Sequence, residues 1–246
     1  MGLHFYKCLP DVAPQFCKDI DTVSKARGKA YVYPSVTTVL SAYTDPFMLD
    51  WQKKQMFNIN PKDTDYETAS ESLYGYRECP ETGDKIPSSD FGTNAHKRME
   101  LWAQGHTLGD SAYDPITEDA IGKFKIMRAN PVEAEVIMYS HDDECAGTVD
   151  LIAEVNGRLE LFDYKFRECK GKSKTYDKDL EQLAIESSWV ARNFSLDYLP
   201  NITTVCIDSI TGKAWFKKWK PERQEKGIQS FRGLRRMLKT KLGWEI

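Results

Sequence analysis

Apolar residues recur along this chain with two different periods, and the change from one to the other outlines the fold. Phe91, Ala95, Met99 and Trp102 stand at helical spacing and predict a helix over 91–104. A further helix is predicted over 117–128. The pattern then turns to alternation: 132–140 reads as a strand, His141-Asp-Asp-Glu144 as an acidic, solvated turn, and 147–165 as a hairpin. Leu180, Leu183, Ala184, Val190 and Ala191 give 177–193 one apolar side. A β-branched strand over 201–208, a turn at Thr211-Gly212 and a strand over 213–219 follow. Pro221 opens a long helix whose Ile228, Phe231, Leu234 and Leu238 face inward. The earlier part is less regular. Ser35 is placed to cap a helix start at 34–40, and a short helix with Trp51 on its apolar side is expected over 46–56. Residues 57–90 are turn-rich and read as a mobile, variable insertion, and 1–33 show no clear period. These elements predict an α/β class with a central mixed β-sheet flanked by helices. They divide as an N-terminal helical lobe with the insertion over 1–90 and a core over 91–246.

The hairpin is the most specific local feature. Asn156-Gly157 between two β-prone runs predicts a two-residue type I′ turn, since both residues tolerate positive φ. Counting back from that turn sets Val155 against Arg158 and brings Asp150 opposite Asp163, with Lys165 on the same face. Ile152 and Leu161 share that face and imply that it is partly buried. Two carboxylates so placed destabilise a bare sheet, and a divalent cation with an adjacent ammonium compensates them. Carboxylate oxygens suit Mg²⁺ or Mn²⁺, and such an ion can hold a phosphate while acidifying an attacking water.

Other residues join this constellation by position. Glu135 precedes the hairpin on a neighbouring strand, and Glu133, on the same face, is a rival for its role. His96 stands early on a helix; His141 is an alternative imidazole but belongs to the acidic turn. Gln182 and Trp189 share a stripe of the 177–193 helix, where Gln182 could hold a DNA phosphate or base and Trp189 could stack or pack in the core.

Composition changes the picture only in part. The chain has 246 residues, 41% hydrophobic and 29% charged, with a net charge of −3. That balance says nothing about nucleic acid, but its distribution does. Eleven lysines and arginines lie between Lys213 and Lys241 against Glu222 and Glu225, a local balance of +9. Arg232, Arg235, Arg236 and Lys239 on the last helix, with Lys172 and Lys174 in the loop after the hairpin, are therefore the candidate phosphate contacts. No apolar run is long enough to span a membrane. The N-terminus lacks the layout of a signal peptide and the hydroxyl residue of a myristoylation site. Six scattered cysteines read as reduced thiols in a cytosolic setting, and the lack of targeting signals gives the expectation of a bacterial or phage-encoded protein.

His96 within Gly-Thr-x-x-His, then Glu135, Gly147-Thr-Val-Asp150, Asp163-Tyr-Lys165 and Gln182 resemble, in order and spacing, the RecB-like exonuclease branch of the PD-(D/E)XK nuclease superfamily. The start at Pro34-Ser-Val-Thr37 and the segment with Trp51 are similar to the mitochondrial genome maintenance exonuclease group and its phage and bacterial relatives. The resemblance implies a restriction-endonuclease-like core and a Mg²⁺- or Mn²⁺-dependent DNA exonuclease with little sequence preference, in replication, recombination or degradation. It implies Asp150, Asp163, His96 and the backbone carbonyl of Tyr164 as metal ligands. Lys165 would activate water and Glu135 would support the metal or the water. It also implies DNA as partner, as single strands or duplex ends, with replication or recombination proteins beside it. Two departures stand out. Glu186 occupies the place where the family often has a tyrosine four residues after the glutamine. Only Cys206 lies where some relatives gather cysteines for an iron–sulfur cluster, so no cluster is expected. A flap or restriction-type endonuclease, or a non-catalytic DNA-binding subunit of the same fold, are the competing readings.

Overall fold

The computed structural model describes residues 3–41 and 75–242, with side chains described as far as residue 240. Its centre is a five-stranded mixed sheet of β6 (Asn130–Ser140), β7 (Cys145–Val155), β8 (Arg158–Arg167), β9 (Asn201–Asp208) and β10 (Ala214–Lys218). The order across the sheet is β10-β9-β8-β7-β6. Only β8 and β9 run parallel, joined through helix α5 (Asp177–Asn193); the other neighbours are antiparallel. A parallel pair needs such a crossover, and it carries α5 across one face of the sheet.

Helices cover both faces. On one, α5 and α6 (Pro221–Leu242) pack with α2 (Val36–Ser41) over Val149, Ile152, Leu161 and Ile202. On the other, α3 (Ser88–Ala103) and α4 (Asp114–Met127) cover Leu151, Ala153, Phe162, Tyr164 and Val205. With both faces covered, β7 and β9 are buried almost throughout rather than alternating between buried and exposed. Ser35 caps α2 as its sequence suggests, its Oγ accepting from Thr38 N at 2.9 Å.

The described N-terminal part differs from a purely helical lobe. Strands β1 (Phe5–Lys7), β2 (Gln15–Phe16) and β3 (Val32–Pro34) form a small sheet in the order β2-β1-β3, beside the four-residue α1 (Val23–Ala26). Phe5, Val32, Val36, Val39 and Leu40 feed the same core as α5. Within the turn-rich stretch, β4 (Tyr76–Glu78) and β5 (Lys85–Pro87) pair as a hairpin leading into α3. The short helix expected over 46–56 lies outside the described residues.

The turn at His141–Glu144 is solvated only in part: His141 and Asp142 are exposed, as expected, but the other two residues are engaged. Asp143 is buried, accepts from Trp189 Nε1 at 2.8 Å and is paired with Arg232 Nε at 2.8 Å. Glu144 accepts from Arg235 and Lys239. The turn is the seat on which the basic helix α6 docks, a partner about ninety residues away that local pattern does not reveal. Desolvation of Asp143 raises its pKa, but the bonds from Arg232 and Trp189 outweigh it and the net shift is downward.

Candidate metal centre

The site is built where two strands change face. Asn156 and Gly157 both have positive φ, 53° and 77°, so the hairpin turn has the type I′ backbone. Its register is the one the turn predicts, Val155 with Arg158 through to Leu151 with Phe162. Regular pairing ends there, one step before Asp150 and Asp163. On the other side of β7, Ala134 pairs with Leu151 and Val136 with Val149, while Glu135 and Asp150 stand at the same level between them. Glu135 has φ 51°, a left-handed conformation that is unusual for a non-glycine residue within a strand. Strict alternation is broken here: Val149 belongs to the α5 side of the core and Leu151 to the α3 side. That break turns Glu135 and Asp150 towards α3.

His96 meets them from α3. Its Nδ1 lies 3.4 Å from Glu135 Oε1 and 3.6 Å from Asp150 Oδ2. Its ring is seated between Tyr164 and Phe166, with centroids 5.7 and 5.4 Å away. One ligand atom from each of His96, Glu135 and Asp150 fits within 4.8 Å of the other two, a candidate metal-binding triad. Glu133, the rival, is exposed on β6. His141 is held elsewhere, Nδ1 2.8 Å from Tyr33 Oη and ringed by Tyr31, Tyr33 and Tyr139.

Asp163 stands beside this triad rather than in it. Its Oδ1 accepts from Lys165 Nζ at 2.6 Å, while Oδ2 is buried without a hydrogen-bond partner among the described residues. Asp150 spends Oδ2 on the Tyr164 N–H at 2.6 Å. The two aspartates are thus divided, Asp150 with His96 and Glu135, Asp163 with Lys165. Lys165 Nζ also donates to Gln182 Oε1 at 3.2 Å, so Gln182 is buried against the site lysine.

The electrostatics follow from burial. Desolvation pushes Asp163 up to about 7, against the pull of Lys165, and pushes Asp150 up against His96 and Lys165. Burial pulls His96 and Lys165 down, but the surrounding carboxylates outweigh it and both are held above their ordinary values. The site without a cation therefore holds protons tightly and keeps Lys165 as an ammonium.

A cleft of about 520 Å³ opens onto these groups, lined by His96, Glu135, Asp150, Tyr164, Lys165, Phe166 and Arg167. Helix α3 completes it with Ser88, Ser89, Gly92, Thr93, Lys97 and Glu100. Gly92 and Thr93 were part of the Gly-Thr-x-x-His motif, whereas Ser88, Ser89, Lys97 and Glu100 were not singled out from the sequence; their place on the same helix as His96 was the available signal. Arg167 was also missed. It forks onto both oxygens of Asp179 at 2.7 Å and stacks on Tyr176 at 4.6 Å.

None of the basic candidates Arg232, Arg235, Arg236, Lys239, Lys172 and Lys174 lines the cleft. Arg232, Arg235 and Lys239 are spent on the acidic turn, Arg236 is exposed, and Lys172 and Lys174 lie exposed in the loop after β8. Trp189 is fully buried in the core. All six cysteines are free thiols. Among the described residues no helix is long and apolar enough to cross a membrane. No protein-family model matches the chain, and no curated protein matches it.

Proposed function

We propose that this chain is a divalent-cation-dependent deoxyribonuclease of the PD-(D/E)XK superfamily, of the RecB-like exonuclease kind, with a restriction-endonuclease-like core. The observation that carries this reading is the gathering of His96, Glu135 and Asp150 within ligand distance at a cleft, with Lys165 on its wall.

The donor set fits such an ion. One imidazole nitrogen and two carboxylates suit Mn²⁺ and, with more oxygen ligands, Mg²⁺. The orphaned Asp163 Oδ2 supplies a further buried oxygen beside the triad. A cation held there would polarise a phosphate oxygen and acidify a water.

The chain's own groups do the rest. Lys165, paired with Asp163, donates hydrogen bonds. It can orient the attacking water or neutralise charge growing on the phosphate. Glu135 lies on the cleft wall where it can support the ion or the water. Ser88, Ser89, Gly92 and Thr93 at the start of α3 line the cleft, and a helix N-terminus is a setting that favours a backbone phosphate.

Digestion of linear DNA labelled at the 5′ or 3′ end, beside circular DNA, with Mg²⁺ or Mn²⁺, tests the proposal. Linear substrates should be degraded from an end and circles spared, and Asp150→Asn should lose at least about a hundredfold in rate. Circles cut as fast as linear DNA would make it an endonuclease. Equal behaviour of wild type and Asp150→Asn would remove the enzymatic reading.

A further inference from the structure

One buried acid next to the site has no part in the chemistry above. Glu186 is 1% exposed on α5, four residues after Gln182 and on the same side of the helix. A chain of hydrogen bonds reaches it from the cleft. Lys165 Nζ donates to Gln182 Oε1 at 3.2 Å, and Gln182 Nε2 donates to Glu186 Oε1 at 3.3 Å.

The direction of that chain matters. A carboxamide has an accepting end and a donating end, and a lysine ammonium can only donate. If the Gln182 amide were reversed, its NH₂ would face the ammonium of Lys165. The acceptor at Glu186 fixes the orientation by engaging the NH₂ end.

Glu186 is itself seated by a missing side chain. A Cβ at Gly147 would lie 2.8 Å from Glu186 Oε1 and 3.1 Å from Val36 Cγ2. The carboxyl fills the space that glycine leaves on β7, three residues before Asp150. Burial, with Asp163 and Asp150 nearby, pushes the Glu186 carboxyl well above the usual range, while its Oε1 accepts from Gln182 Nε2.

We infer that Glu186 is a positioning residue: it fixes the Gln182 amide with its oxygen towards Lys165, and so sets where the ammonium stands in the cleft. The inference rests on the nuclease reading for its effect on rate. Glu186 touches no reacting atom and acts only through Gln182.

Two substitutions separate this role from packing. Glu186→Leu keeps the bulk and removes the acceptor; Glu186→Gln keeps an acceptor oxygen. Glu186→Leu should lower kcat on DNA by about ten- to a hundredfold, with KM and Mn²⁺ affinity unchanged. Glu186→Gln should stay near wild type. Adding Glu186→Leu to Gln182→Leu should cost nothing more, since one acts through the other. Crystal structures of both single variants read the geometry without activity: Lys165 Nζ leaves Gln182 in the leucine variant and keeps to it in the glutamine variant. Full kcat in Glu186→Leu, multiplicative losses in the double variant, or an unmoved Lys165 would each overturn the inference. Wild type inert on DNA would sink the nuclease reading, while the crystallographic comparison would still decide Glu186. If Glu186→Leu does not fold, Gly147→Ala displaces the same carboxyl from the opposite side and carries the same expectation.

Discussion

At the scale of single residues, burial decides how the groups of the site titrate. Asp163 has a folded pKa of about 7, above the ordinary carboxylate value, because burial disfavours its charge. The folded state therefore binds that proton more tightly than the unfolded chain between roughly pH 4 and 7, and metal-free stability falls as pH rises through that window. Asp150 shifts in the same direction. His96 is also raised, so the stability it contributes is complete below its unfolded pKa and is lost as pH rises through the folded one. All three effects weaken the metal-free protein towards alkaline pH. A cation bound at these groups would replace these protons, so its binding would tighten as pH rises. We predict that saturating Mn²⁺ raises Tm much more at pH 8 than at pH 5.5, and that affinity measured by calorimetry tightens by about tenfold or more over that range. Equal shifts at both pH values would show that the ion does not bind at these groups.

At the scale of elements, the hairpin and α5 were legible because what decides them is local. Asn156-Gly157 carries its own turn geometry, and that turn alone sets the β7–β8 register as far as Leu151–Phe162. The α5 and β9 boundaries agree with the sequence pattern residue for residue. The triad was legible only in its members. Its geometry depends on Glu135 taking a left-handed conformation in the edge strand β6, which no glycine or asparagine there announces. That conformation is strained for most side chains. Glu135→Asn, which tolerates it, should leave Tm of the metal-free protein unchanged or higher. Glu135→Val should destabilise by about 1–2 kcal/mol, since β-branching opposes positive φ. Both should weaken Mn²⁺ binding; a valine variant as stable as the asparagine variant would show that no strain resides there. The acidic turn was misread for a related reason, because its partners come from distant helices. Asp143→Ala leaves the buried Trp189 Nε1 without its acceptor and frees Arg232, and should cost about 2–3 kcal/mol in denaturant unfolding. A loss under about half a kcal/mol would mean that the turn does not anchor α6.

At the scale of the whole molecule, the division of charge decides where a phosphate backbone can lie. The C-terminal excess of lysine and arginine looks like a nucleic-acid surface in one dimension, yet three of its members are paired with Asp143 and Glu144 and none of the helix's four candidates lines the cleft. The cleft presents Lys97, Lys165 and Arg167 instead, and Arg167 is already held by Asp179. Lys165 is committed to the inner wall. That leaves Lys97, a surface residue on α3 whose pairing with Glu100 at 2.7 Å is of the exposed kind that contributes little. If DNA enters across the start of α3, Lys97 releases a counterion on binding and Lys239 does not. Binding of labelled DNA to the Asp150→Asn protein, measured over a range of salt, distinguishes the two paths. Lys97→Gln should weaken binding on all sequences alike and reduce the salt slope by about one, whereas Lys239→Gln should leave both unchanged. The reverse result would move the DNA path to α6 and restore to its basic residues the role that their composition suggests.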